Sequence, residues 1–195
     1  MGQWILLISA LLFFNTNAAS SHCLDHFAQV YHRLNVATFE PVIANQEDAP
    51  AIRKFIDRIR HDAGLDDDLL QDLENLNDTY MSRAGNFFLL KNGYGEIVGT
   101  GAYYAKDLKL QPFVATLARI YLDPSLRGKG MGEKMVHHLL KEAHSRGYRR
   151  FDLKTDKKWT QAIRLYEKVG FNQVSFDPKN PSKLFFELNG YTPIE

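Results

Sequence analysis

The chain has 195 residues, enough for one domain of ordinary size that can bury a core without disulfides or metals. Lys and Arg total 24 against 23 for Asp and Glu, so the charge balance gives no case for nucleic acid or an acidic membrane surface, and a small-molecule or peptide partner is expected. The single cysteine, Cys23, has no internal disulfide partner, and no Cys or His cluster has metal-ligand spacing, so no redox or metal site is expected.

In chain order, residues 4–14 form a nearly unbroken apolar run, and residues 15–21 supply small side chains where a signal peptidase could cut. The run falls short of the ~20 residues of a membrane-spanning helix, and no Lys or Arg precedes it. Residues 1–20 therefore read as a signal-like or membrane-associated segment, with any membrane contact made through residues 4–14. Residues 21–35 read as a connector and residues 36–190 as the folded domain.

Residues 37–42 read as a strand. Asn45 or Asp48 can cap a helix whose Ile52, Phe55, Ile56 and Ile59 share one face. A second helix is expected over residues 66–73, where three aspartates favour a helix start and Leu69, Leu70 and Leu73 form an apolar side. Strands follow at residues 86–91 and 96–105, joined by a tight turn at Asn92-Gly93 that would use positive φ angles. Residues 113–122 read as a central strand ending at Asp123-Pro124. A helix with a wide apolar stripe (Met131, Met135, Leu139, Ala143) runs to Gly147, then a strand at 149–155, a helix at 160–169 stopped by Gly170, and strands at 171–176 and 183–188.

The segment between the central strand and the striped helix carries the chemistry. Gly128, Gly130 and Gly132 let backbone approach a ligand, and the first amides of the following helix lack internal partners and can donate to an anion. Arg127 and Lys129 add positive charge at the same place. The spacing matches neither the dinucleotide-binding glycine pattern nor the P-loop, which argues against dinucleotides and nucleoside triphosphates.

The run Arg119-Ile120-Tyr121-Leu122-Asp123-Pro124-Ser125-Leu126-Arg127-Gly128-Lys129-Gly130-Met131-Gly132 resembles the cofactor motif of the GCN5-related N-acetyltransferases (GNAT family). Downstream, Ala162-Ile163-Arg164-Leu165-Tyr166-Glu167-Lys168-Val169-Gly170-Phe171 resembles that family's second signature. The resemblance implies an α/β single-domain fold with a mixed sheet of about seven strands, four helices and a splayed central strand pair. It implies acetyl-CoA as co-substrate, with the pantetheine arm along the backbone of Ile120, Tyr121 and Leu122. The pyrophosphate would then lie on the main chain of Arg127, Gly128, Lys129, Gly130, Met131 and Gly132. Tyr166 would protonate the departing thiolate, although it shares a helix face with Ala162, Leu165 and Val169 and reads equally well as core. The implied reaction is direct transfer of acetyl to a primary amine of unnamed identity, by a monomer or homodimer. The alternative is a non-catalytic acyl-CoA sensor, because no acid stands at Ala115-Thr116-Leu117-Ala118, where many members carry one. Trp159 replaces a frequent Asn, and Glu40, Tyr104 and Asp152 are the strand residues able to accept a proton. Since acetyl-CoA is an intracellular donor, the resemblance favours a cytoplasmic location.

Overall fold

The computed structural model describes residues 39–65 and 70–193. Seven strands form one mixed sheet in the order β1-β2-β3-β4-β5-β7-β6. They are β1 (Val42–Ile43), β2 (Asn86–Lys91), β3 (Ile97–Asp107), β4 (Gln111–Leu122), β5 (Arg150–Asp156), β6 (Asn172–Asp177) and β7 (Asn180–Asn189). The described residues include α1 (Ala49–His61), a π-helical turn (Asn77–Met81), α2 (Met131–Ser145) and α3 (Thr160–Val169), four helices as the family resemblance implies. Every strand pair is antiparallel except β4 with β5, whose parallel pairing requires the crossover that α2 supplies.

Local chemistry explains where α1 starts. The Asn45 side chain accepts from the amides of Glu47 and Asp48 at 2.8 and 3.2 Å, and Asp48 accepts from the Asn45 amide at 3.0 Å. This reciprocal cap opens a short 3-10 turn that runs into α1, with Pro50 in the first turn where its missing N–H costs nothing. Ile52, Phe55, Ile56 and Ile59 are buried together with Leu73, Leu76, Phe87 and Leu89. On the opposite sheet face, Met135 and Leu139 of α2 come so close to Gly101 that a Cβ there would sit 2.9 Å from the Met135 sulfur. With both faces covered, Phe87, Phe88, Leu89 and Leu90 of β2 are all buried, which explains its continuous rather than alternating apolar run.

Three expectations shift. The first strand is Val42–Ile43, since Pro41 has no N–H to give a ladder; residues 37 and 38 lie outside the described residues. The second helix falls partly on residues 66–69, also outside them; its described end is the 3-10 turn Gln71–Leu73, followed by the π-helical turn. The β2–β3 connection is not a two-residue turn with positive φ at Asn92-Gly93. Gly95 takes the positive φ (80°), while the Asn92 side chain accepts from the amides of Tyr94 and Glu96 at 2.9 and 3.0 Å and so replaces a backbone turn. Residues 1–20 and Cys23 lie outside the described residues. No helix among the described residues is long and apolar enough to cross a membrane.

Candidate active site

Strands β4 and β5 pair only from Val114 with Arg150 to Leu117 with Leu153, although β4 runs on to Leu122 and β5 to Asp156. The separation has a visible cause on the other side of β4. Ala102 pairs with Ala118 and Thr100 with Tyr121, so Arg119 and Ile120 together oppose the single residue Gly101. This is a β-bulge, which bends its strand and interrupts the ladder. Arg119 adopts φ 54°, a left-handed conformation that costs a non-glycine residue about 1–2 kcal/mol.

Several contacts hold that strained residue. Thr100 Oγ1 donates to the Arg119 carbonyl at 2.7 Å. The guanidinium forks onto Asp72, Nε to Oδ2 at 2.8 Å and Nη2 to Oδ1 at 2.5 Å, and the Tyr80 hydroxyl donates to the same carboxylate. Burial works against the Arg119 charge, but the hydrogen bond and charge of Asp72 outweigh it and hold the guanidinium above its usual basicity. Burial first, then Asp72, keep the Tyr80 phenol protonated far above the ordinary tyrosine range. Asp72 is thus no solvated helix-surface acid, as its place in an aspartate-rich stretch suggests; it ties the segment before β2 to the bulge.

The splay opens a cleft of about 980 Å³. Of the residues the motifs single out, Ile120, Tyr121, Leu122, Arg127, Gly128, Gly130, Gly132 and Tyr166 all line it. Lys129 is exposed and Met131 is turned inward, 8% exposed, so both stand beside the cleft wall with only their backbone in the loop. Gly128 and Gly130 take φ of 71° and 74°, and a Cβ on either would meet nothing within 4 Å, so their main chain faces open space. Gly130 precedes α2 without a side-chain cap, and the first bond into the helix runs from Lys134 N to Gly130 O at 3.1 Å. The amides of Met131, Gly132 and Glu133 lie ahead of that bond, at the positive end of the helix dipole. Gly132 serves packing instead, since a Cβ there would lie 3.0 Å from Leu165 of α3, and its absence lets the two helices meet at the cleft. Uncapped amides, two basic side chains and an elongated gap between strands fit a long ligand with an anionic pyrophosphate.

Tyr166 is packed as core and also lines the cleft. Its ring packs against Phe171 and Phe186 with centroids 6.0 and 6.2 Å away. Burial, then the neighbouring Tyr121, push its phenol well above the ordinary tyrosine range, so it carries its proton at neutral pH. Tyr121 receives a hydrogen bond from Arg60 at 3.3 Å and packs edge-on to Trp159 at 6.1 Å. Trp159, in place of the family's frequent Asn, is therefore a wall of the cleft.

The strand residues able to accept a proton separate clearly. Glu40 is exposed ahead of β1 and is absent from the cleft wall. Asp152 accepts from Lys106 Nζ at 2.5 Å and Thr116 Oγ1 at 2.6 Å, and only Thr116 reaches the wall. Tyr104 lines the cleft, but burial raises its phenol, which makes it a donor rather than a base. The described carboxylates on the wall are Asp72, Glu133 and Asp156. Asp72 is held by Arg119, Glu133 by Lys168 at 2.6 Å, and Asp156 by Ser182 at 2.8 Å and Lys183 at 3.4 Å. Tyr80 and Arg83 escape a reading by spacing because no motif covers the stretch before β2, although the rare π-helical turn there brings Thr79, Tyr80 and Arg83 to the wall.

The family model described as "Acetyltransferase (GNAT) family" matches residues 51–171. The uncharacterized N-acetyltransferase YjgM of Escherichia coli (strain K12) is 29% identical over 148 residues, 73% of this chain and 88% of that one. Other curated relatives are matched over less than half their length. Among solved structures, an acetyltransferase of the GNAT family from Staphylococcus aureus Mu50 superposes with a TM-score of 0.69 at 22% identity, covering 77% of this chain and 98% of that one. The structure of yncA from Salmonella typhimurium, solved with its cofactor acetyl-CoA, gives 0.62 at 19% identity, covering 80% and 97%.

Proposed function

The chain belongs to the acetyltransferase (GNAT) family, and from that premise we propose that it transfers acetyl from acetyl-CoA directly to a primary amine in the cleft between β4 and β5. The observation that carries the reading is the splay itself, with a bulged strand on one side and an uncapped, glycine-lined helix start at its mouth. Acetyl-CoA supplies the activated thioester. The amides from Arg127 to Gly132 hold its pyrophosphate, with Arg127 and Lys129 adding charge. The backbone of Ile120, Tyr121 and Leu122, left without a β5 partner, receives the pantetheine amides.

The amine attacks as the neutral base, and its proton leaves to water, since the described carboxylates on the wall are all engaged by cations or hydroxyls. Tyr166, protonated at neutral pH, offers its hydroxyl to the sulfur as negative charge develops there. Holding donor and acceptor together in one cleft provides much of the acceleration. The test has two steps. Calorimetry should show acetyl-CoA binding to wild type and Tyr166→Phe with similar affinity. Thiol release with an amine pool should then show kcat reduced about 10²-fold in the variant, the lower end for a positioned proton donor. Equal kcat removes Tyr166 from the mechanism; no binding of acetyl-CoA removes the whole reading.

A further inference from the structure

Two non-glycine residues among those described adopt positive φ, Arg119 at 54° and Ala84 at 52°. The first shapes the strand that faces the donor. The second directly follows Arg83, which lines the part of the wall built from the π-helical turn, β3 and β4. Left-handed backbone at alanine persists only where its surroundings over-determine it, and such positions gather at ligand clamps.

The surroundings here do over-determine it. Ala84 N donates to Met81 O at 3.1 Å, Gly85 N to Tyr80 O at 2.9 Å and Ala105 N to Arg83 O at 2.9 Å. The Tyr148 hydroxyl donates to the Ala84 carbonyl at 3.0 Å. Gly85 has no room for a side chain, because a Cβ would fall 2.0 Å from the Tyr103 carbonyl oxygen. All of this fixes the backbone from which the Arg83 side chain enters the cleft.

The guanidinium is fixed as well. It stacks over the Tyr104 ring at 4.2 Å from the centroid, and Nη2 donates to the carbonyls of Ala105 and Lys106 at 3.1 and 3.2 Å. Those contacts use one nitrogen of three and leave a planar edge of donors. Among the described residues Arg83 forms no ion pair, whereas Arg119 on the same wall is closed by the forked Asp72. A guanidinium immobilised on a cleft wall with no described carboxylate at ion-pair distance, Asp107 feeling its charge only from further off, is a preorganised carboxylate receptor, since its fork matches that group in shape and charge.

We propose that Arg83 is an acceptor subsite for a carboxylate, so that the amine acetylated by this protein is a small amino acid rather than a simple amine or polyamine. The inference rests on the amine-acetylation reading above. Arg83 binds the carboxylate through the donors that Ala105 and Lys106 leave unused, and the amino group is thereby aimed at the thioester.

The test is thiol release with matched acceptors: amino acids of varied side chain and amine position, each beside its carboxamide and its decarboxylated amine, such as phenylalanine, phenylalaninamide and phenethylamine. Wild type should favour the carboxylated member of the productive set by about 10- to 100-fold in kcat/KM, the range for a charge-assisted pair. Arg83→Gln should erase that preference through the acceptor KM, Arg83→Lys should restore part of it, and acetyl-CoA affinity by calorimetry should stay the same in both variants. Equal use of the three members by wild type overturns the carboxylate subsite and leaves amine acetylation standing, a result independent of whether any variant folds. A preference that survives unchanged in Arg83→Gln overturns Arg83 as its source. Binding of acetyl-CoA with no turnover of any acceptor overturns the amine reading and this inference with it.

Discussion

Asp72→Asn is the sharpest probe of the bulge that parts β4 from β5. The change keeps the shape and one acceptor oxygen but removes the charge that receives the Arg119 fork and the Tyr80 hydroxyl. The two side chains are 14% and 24% exposed, so solvent screens the pair only partly. Hydrogen bonds to charged groups are worth about 1.5–3 kcal/mol each, and a surviving neutral bond returns part of that, so a loss of about 2–3 kcal/mol is expected. At roughly 2–4 °C per kcal/mol for a chain of this size, the melting point should fall by roughly 4–12 °C. Released from its clamp, Arg119 can leave its left-handed conformation, the backbone of Ile120 to Leu122 loses its tilt, and acetyl-CoA should bind about tenfold more weakly, the equivalent of about 1.4 kcal/mol. The decisive measurement is a double-mutant cycle with Arg119→Met, read by urea denaturation and by calorimetry. A clamp predicts coupling of about 1.5 kcal/mol or more in stability and the same direction in binding. Additivity within about 0.5 kcal/mol would refute it.

Two further outcomes follow from single positions. Gly130→Ala adds a side chain with free space around it but at φ 74°, so its cost is the ~1–2 kcal/mol of left-handed backbone, which the loop avoids by rotating its amides away. Acetyl-CoA affinity should fall about 5- to 30-fold, and an unchanged Kd means those amides do not hold the ligand. The pH dependence comes from buried phenols. Burial is the leading cause that raises Tyr80, Tyr166 and Tyr103, the last to about 12. Each folded value lies above the unfolded one of about 10, so the stability is intact below pH 10 and is lost as pH rises from there through the folded values. At pH 11 the three should cost on the order of 3–4 kcal/mol, visible as a lower urea midpoint than at pH 8, and a flat midpoint across that interval contradicts the assigned shifts.

Much of the fold was legible because the elements obey local rules. The stripe Ile52, Phe55, Ile56 and Ile59 has helical spacing and is buried as one face, and Gly170, at φ 104°, ends α3 where its glycine predicts. The bulge was not legible. Arg119 lies within a continuous β-like run, and its left-handed φ depends on Asp72, 47 residues away, and on Thr100, 19 residues away. The role of Asp72 was hidden for the same reason, since among neighbouring aspartates it looks like a solvated helix start. The Asn92 turn failed by a subtler route: the Asn-Gly pair correctly marks a reversal, but the side chain rather than the backbone of Asn92 organises it.

From the sequence alone came the expected donor side: two motifs in order, a glycine-lined helix start that attracts an anion, and a second helix carrying the tyrosine proposed as proton donor. Such features are local, set by φ preferences and by amides that a helix leaves unpaired wherever it begins. The features on which the proposed acceptor side rests exist only in the tertiary structure. The splay of β4 from β5, the fork of Arg119 onto Asp72 and the strained turn that carries Arg83 beside Tyr104 join residues far apart in the chain. Strain at one residue held by partners tens of positions away leaves no periodic trace, and only the packed sheet brings those partners within hydrogen-bonding reach.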